Sequence, residues 1–253
     1  MADDRTTHST RPAGFLGARQ GVLISLEGVW GAGKTTQAQL LGDHLRAQGY
    51  RTAVLHYGQR HGVIADLSRF LDTRPLRRRH VRGGYDQPHH AVVDVLLRQA
   101  REARNHTHLY TPALVEHDVV VLDHGVYSKF AYALTVLTEE SGPHKFDHHL
   151  ERLRTITGPW FLHPARAFHL DLPWRLARER AIARGTRGAD SLERELFLPR
   201  YDTAYRYLTT QYTDRIVPVP AAQPTAEVAR VIAEHTEQLL YTSNPRKTRP
   251  CDE

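Results

Sequence analysis

The sequence predicts an α/β fold: a doubly wound, parallel five-stranded sheet with helices on both faces and a short lid. Three observations carry this reading. Short apolar runs bounded by polar residues alternate with longer amphipathic stretches, the pattern of strand–helix–strand units. A glycine-rich turn joins the first apolar run to the first amphipathic stretch. The 253 residues, 40% hydrophobic and 25% charged, suffice to bury a full core without cross-links.

The elements follow in order. Residues 1–20 are polar with Pro and Gly, and read as a disordered arm. Gly21 to Glu27 is a buried strand. The helix after it runs from Lys34 to about Gln48, with Ala38, Leu41 and Leu45 on its apolar face and Gly49 ending it. Thr52–Leu55 is a second strand, Val63–Leu71 a helix, and Arg74–Gln87 a basic loop. Pro88 to about Glu116 reads as helix with a break at Pro112. Asp118–Asp123 is a buried strand, four apolar residues between two aspartates, and Val126–Leu137 is the helix after it. Ala165–Leu170 is a strand, and Pro173 opens a helix, where its missing N–H costs nothing. Residues 184–190 form a Gly- and Arg-rich lid. Ser191 to about Tyr212 is helix, Arg215–Val219 the last strand and Thr225–Leu240 the last helix. The expected domain is therefore 21–241, with 242–253 a disordered tail.

Composition narrows the function classes. No apolar run approaches the ~18 residues of a membrane span, and the N-terminus lacks the apolar stretch of a secretory signal. The single cysteine, Cys251, excludes an internal disulfide and fits a reducing cytoplasm. Net charge is 34 − 28 = +6, and only four of the 34 basic residues are lysines, Lys34, Lys129, Lys145 and Lys247. Arginine suits phosphate and carboxylate partners. The arginines are scattered apart from Arg77–Arg79, which argues for a phosphorylated small molecule rather than nucleic acid. The adjacent histidine pairs His89–His90 and His148–His149 point in different directions on any regular element, so they do not suggest a metal site.

Gly28-Val-Trp-Gly-Ala-Gly33-Lys34-Thr35 fits G-x-x-x-x-G-K-[ST] at every fixed position. Glycines let the backbone wrap phosphates with its N–H groups inward, and the helix N-terminus faces the same anion. Gly28, Trp30, Gly31, Ala32, Gly33, Lys34, Thr35 and Thr36 are thus the expected nucleotide cradle. Lys34 reaches the β- and γ-phosphates, and Thr35 holds Mg²⁺. Asp123, at the C-terminal end of a strand, is the expected carboxylate approaching Mg²⁺. Arg184 and Arg187 in the lid are placed to close on the transferring phosphoryl group. Trp30 stacks on a base or plugs an apolar gap against the lid.

From Glu27 through Gln37 the residues resemble the phosphate loop of thymidylate kinases. Asp123, Ser128, Ala131 and Tyr132 are similar to that family's D-R-Y-x-x-S-x-x-A-Y segment. His169–Pro173, Glu179-Arg180 and Arg184-Gly185 resemble its fourth strand, helix and lid, and Phe197, Arg200 and Tyr205 its post-lid helix. Ile216–Ala222 resembles its last strand and the loop beside adenine, which adds Arg180 and Ala221 to the nucleotide side. The resemblance covers about residues 20–240. It implies a P-loop kinase fold, ATP and Mg²⁺ as donor, transfer to a nucleoside monophosphate, and a homodimer. Arginines in the lid and none in the phosphate loop fit the family's bacterial-type arrangement.

The departures gather on the acceptor side. Trp30 stands where the family has an acidic residue, and His56 to Gly62 stand where it has T-R-E-P-G-G-T. His124 and Gly125 replace its acceptor-phosphate arginine and its tyrosine. Arg98 and Glu102 replace its phenylalanine and arginine, and Ala133 its glutamine. Tyr57, Arg60, Arg98, Arg101, His124 and Tyr132 are the candidate acceptor-binding residues. Three readings follow: a kinase of dTMP or a related nucleotide, a kinase of the same fold acting on a nucleoside or other hydroxyl acceptor in specialised metabolism, and a non-catalytic ATP-binding protein. Convergence of Arg60 and Arg101 on a cleft facing Lys34 favours the first. A cleft lined by His56, Tyr57 and Glu102 favours the second.

Overall fold

The computed structural model of the chain describes residues 21–56, 91–139, 142–186 and 188–243. Five parallel strands form one sheet: β1 (Val22–Glu27), β2 (Thr52–His56), β3 (Val119–Asp123), β4 (Arg166–Asp171) and β5 (Ile216–Pro220), in the order β2-β3-β1-β4-β5. β1 and β3 sit at the centre with helices on both sides. Ile24, Leu26 and Val119–Val121 are fully enclosed, which is why these strands read as unbroken apolar runs rather than alternating ones. The chain leaves β1 toward β2 and leaves β3 toward β4. The C-terminal ends of β1 and β3 therefore open the crevice where open α/β sheets hold ligands. In register, Leu26 pairs with Asp123 and Asp123 with His56.

α1 (Lys34–Ala47) starts from Gly33, whose φ is 101°. No side chain caps this helix start and no acidic residue lies in its first turn, so its leading N–H groups face the crevice. α2 (Ala91–Asn105) continues through a π-helical turn (His106–Tyr110) into α3 (Thr111–Glu116). The break expected at Pro112 is thus a wide turn ahead of it. Pro112 sits in the first turn of α3, where it lacks no partner, and the π turn spares its ring the clash with a regular preceding turn.

α4 (Val126–Leu137) follows β3. α5 (Phe146–Thr157), unassigned in the sequence reading, buries Phe146, Leu150 and Leu153 at i, i+4 and i+7. α6 (Trp174–Ala183) ends at a turn of Arg184 and Gly185, and Ser191 caps α7 (Leu192–Gln211) by accepting from Arg194 N–H. α8 (Thr225–Ser243) ends the described chain and packs beside α1. The helix expected at Val63–Leu71, the loop at 74–87, and residues 1–20 and 244–253 lie outside the described residues.

Candidate active site

The loop between β1 and α1 takes its shape from three glycines with left-handed backbones: Gly28 (φ 137°), Gly31 (93°) and Gly33 (101°). A side chain at Gly31 would overlap the Ala177 carbonyl of α6, so this glycine also sets how closely loop and helix pack. Beside Gly33 there is open space. Lys34 is folded back across the loop, its ammonium donating to the carbonyls of Gly28 (2.8 Å) and Val29 (3.0 Å). Burial lowers its pKa to about 8, against the pull of Asp123 and Glu27. Ala32 is buried, while Thr35 and Thr36 are exposed at the mouth of the loop.

Asp123 ends β3 beside this loop, 4% exposed. Its carboxylate is 2.9 Å from His56 Nδ1 on β2 and is also hydrogen-bonded by Thr35. Burial pushes its pKa up, but the His56 and Thr35 hydrogen bonds outweigh that and hold it below the usual range. Lys34, Thr35 and Asp123 therefore converge on one point of the sheet edge. A threonine hydroxyl beside an ionised carboxylate is a donor set of hard oxygens, which fits Mg²⁺. His56 is the neighbour that motif reading missed as Asp123's partner. Its signal was positional, since it ends the strand beside β3.

Beyond Asp123 the chain bends through His124, a non-glycine residue at φ 72°. Such a backbone costs about 1 kcal/mol or more and is kept where the surroundings over-determine it. Gly125 follows because a Cβ there would overlap the Glu27 carboxylate and Ser25. Burial drives the His124 imidazole pKa far down, assisted by Lys129, Lys34, His56 and Arg101, so these basic side chains share its surroundings.

The acceptor-side residues on α2 and α4 form two groups. Arg98 pairs with Asp94 (3.1 Å) and lies 4.3 Å over the Tyr132 ring, while the Tyr132 hydroxyl donates to Asp94 (2.9 Å). Deeper in, Arg101, Glu102 and Lys129 are all buried. Glu102 accepts from the Tyr110 hydroxyl (3.1 Å) and from Asn105 Nδ2 (3.4 Å). Burial lowers the Lys129 pKa to about 8, opposed chiefly by Glu102. Lys129 was not among the sequence candidates. It could have been found as one of four lysines in the chain, set in an apolar helix. Tyr57 and Arg60 lie outside the described residues.

At the C-terminal end of α6, Arg184 occupies the cap position and lies close enough to Lys34 to act against its charge. Arg180 Nη1 donates to the Ala221 carbonyl at 3.1 Å, joining the two residues expected beside adenine. Trp30 packs on Phe197 (centroids 5.4 Å apart) and Tyr201 (5.3 Å), with the Arg194 guanidinium 5.1 Å over its ring, so it wedges the loop against α7. Arg187 lies outside the described residues. Among the described residues no group of His, Cys, Asp and Glu side chains forms a metal cluster by itself.

His169, 3% exposed on β4, stacks on Tyr205 (5.1 Å, 12°) and is hydrogen-bonded to Thr209 Oγ1 (3.2 Å). Burial lowers its pKa to about 4, against an unfolded value near 6.5. The unfolded chain therefore binds the proton more tightly. The stability this site contributes is complete above pH ~6.5 and is lost as pH falls through ~4. At pH 5 the loss is about 2 kcal/mol. His169→Phe keeps the stack and cannot titrate. Urea unfolding at pH 7.5 and 5 should show the variant losing about 2 kcal/mol less than the parent protein over that interval. Equal losses would refute the assignment.

The family model for thymidylate kinase matches residues 26–232. A thymidylate kinase of Acinetobacter baylyi is 27% identical over 220 residues, covering 87% of this chain and 100% of the relative. One from Pseudomonas savastanoi pv. phaseolicola is 29% identical over 222 residues, 87% of this chain and 97% of its own. A probable thymidylate kinase of Methanosarcina mazei is 25% identical over 221 residues, with coverage of 87% and 98%.

Proposed function

The chain belongs to the thymidylate kinase family, and from that premise we propose that it moves the γ-phosphoryl group of ATP to a nucleoside monophosphate, dTMP or a related nucleotide, with Mg²⁺. The observation that carries this reading is the convergence of Lys34, Thr35 and Asp123 at the ends of β1 and β3. Thr35 and Asp123 would hold the metal, which when bound neutralises charge on the phosphate oxygens. Lys34 leaves the Gly28 and Val29 carbonyls for the phosphates, and the loop and first α1 N–H groups orient them. Arg180 and Ala221 border the adenine side. Catalysis in this class is mainly positioning and charge stabilisation, so these groups supply most of what the donor half needs.

For the acceptor, the buried cations Arg101 and Lys129 beside His124 support a phosphate-bearing molecule, in place of the arginine that the resemblance puts at position 124. The buried Glu102 supports the second reading, a hydroxyl or amine acceptor such as a nucleoside. Incubation with ATP, Mg²⁺ and, separately, dTMP, dUMP, CMP and thymidine, followed by mass detection of products, decides between them. The proposal expects monophosphates to be converted to diphosphates and thymidine to be left alone. Phosphorylated thymidine with untouched monophosphates would favour the second reading. We place the enzyme in the cytoplasm, on the single thiol of the sequence, and as a homodimer, on the family resemblance.

The lid makes a separate prediction. Arg184→Ala should lower kcat by about 10²-fold while raising KM for ATP by only a few-fold, if the guanidinium meets charge that develops in the transition state. Equal effects on both would mean ordinary ATP binding.

A further inference from the structure

Glu27 ends β1 immediately before the phosphate loop, 1% exposed, and no step above uses it. Four donors meet its carboxylate. Ser25 Oγ donates to Oε1 (2.8 Å), as does Tyr127 N–H (3.2 Å). Ser128 donates twice to Oε2, from N–H (2.8 Å) and Oγ (2.6 Å). Tyr127 and Ser128 lie in the first turn of α4, whose N-cap, Gly125, offers no side chain. The carboxylate of a neighbouring strand thus caps α4, and the absent Cβ of Gly125 leaves room for it.

The contacts continue to the helix after the lid. Tyr205 OH donates to Ser128 Oγ (2.7 Å) and lies 3.2 Å from Tyr201 OH, which also reaches the Ser128 carbonyl (3.2 Å). The Tyr201 ring packs on Trp30 of the phosphate loop. One buried network therefore joins the start of the phosphate loop, the helix that carries Lys129 and Tyr132, and α7. Each hydroxyl bridges elements that hold different parts of the reaction.

We propose that Glu27, through Ser128 and Tyr205, is a positioning residue that holds the phosphate loop, the acceptor helix and the post-lid helix in one register. It touches neither substrate. A carboxylate offers about four acceptor sites on two oxygens, matching the four donors, whereas an amide would turn an N–H₂ toward two of them. Register matters because small displacements of reacting groups cost large factors in rate.

The proposal rests on the phosphoryl-transfer reading, and its test separates the two. Tyr205→Phe, Ser128→Ala, the double variant and Glu27→Gln are assayed with ATP, Mg²⁺ and dTMP, with kcat counted per ATP-binding site so that loss of folded protein does not register. Tyr205→Phe and Ser128→Ala should each lower kcat about tenfold, with KM for ATP within about twofold of the parent. The double variant should be no slower than Ser128→Ala alone, because the Tyr205 hydroxyl has then already lost its link to Glu27. Unchanged kcat per site in the single variants, even with a lower Tm, or losses that multiply in the double variant, would overturn the relay and leave the phosphoryl-transfer reading standing. No turnover by the parent enzyme would overturn both. Should Glu27→Gln fail to fold, the two hydroxyl variants, each of which removes one oxygen, still decide the matter.

Discussion

Lys34→Ala is expected to abolish phosphoryl transfer, lowering kcat by at least about 10³-fold, or roughly 4 kcal/mol of transition-state stabilisation. The size follows from where the ammonium sits. It is buried at the crevice, held by the carbonyls of Gly28 and Val29, in a setting of low dielectric where one charge counts for far more than in water. Among the described residues no neighbour is built to replace it: Arg184 approaches from the exposed end of α6, and Lys129 is engaged across α4 and α2. The fold should persist. Alanine leaves two carbonyls short of a donor, a cost of about 1–3 kcal/mol, but it also removes a cation that burial disfavours. Steady-state kinetics beside a thermal melt separates the effects. A folded variant within tenfold of the parent kcat would refute the donor-site assignment.

Asp123→Asn is the second large effect. The amide keeps an oxygen for His56 and Thr35, so the sheet edge should hold its shape. What is lost is the negative charge at the point where the Thr35 hydroxyl and the Asp123 carboxylate meet beside the loop. The expected outcome is a fall in kcat/KM of about 10²–10³-fold and a rise in the Mg²⁺ concentration needed for half-maximal rate. A Mg²⁺ titration identical to the parent's would mean that Asp123 serves the sheet edge and His56 rather than the metal. His56→Ala provides the complementary control. It removes the imidazole beside Asp123 and should change the Mg²⁺ requirement less than Asp123→Asn does.

Much of the donor half was legible in the sequence because its signals are local. Gly28 to Thr35 form a contiguous motif, and β1 and β3 are enclosed on both faces, so their residues read as apolar runs wherever the rest of the chain goes. Pro112 announced a break, but whether the backbone would stop or widen depended on what the helix packs against, and it widened into a π turn. α5 went unread because its few apolar residues sit among His148, His149, Glu151 and Arg152.

The acceptor side resisted sequence reading for a different reason. Glu102 and Arg101 are adjacent charged residues on a helix, a pattern that ordinarily faces water, yet both are buried. Their burial comes from α2 packing against α4, a long-range fact absent from either segment. His124 carries a left-handed backbone that no histidine advertises. Glu27 looked like the polar end of a strand until α4 brought three donors to it and α7 brought two tyrosines to Ser128.

The central claim is that this site moves a phosphoryl group from ATP to a nucleoside monophosphate. Mass detection of dTDP from dTMP, ATP and Mg²⁺, run beside the Lys34→Ala control, tests it most directly. One dTDP should form for each ADP, at a rate far above the control. ATP binding and ADP release with dTMP, dUMP and CMP all unchanged would contradict it.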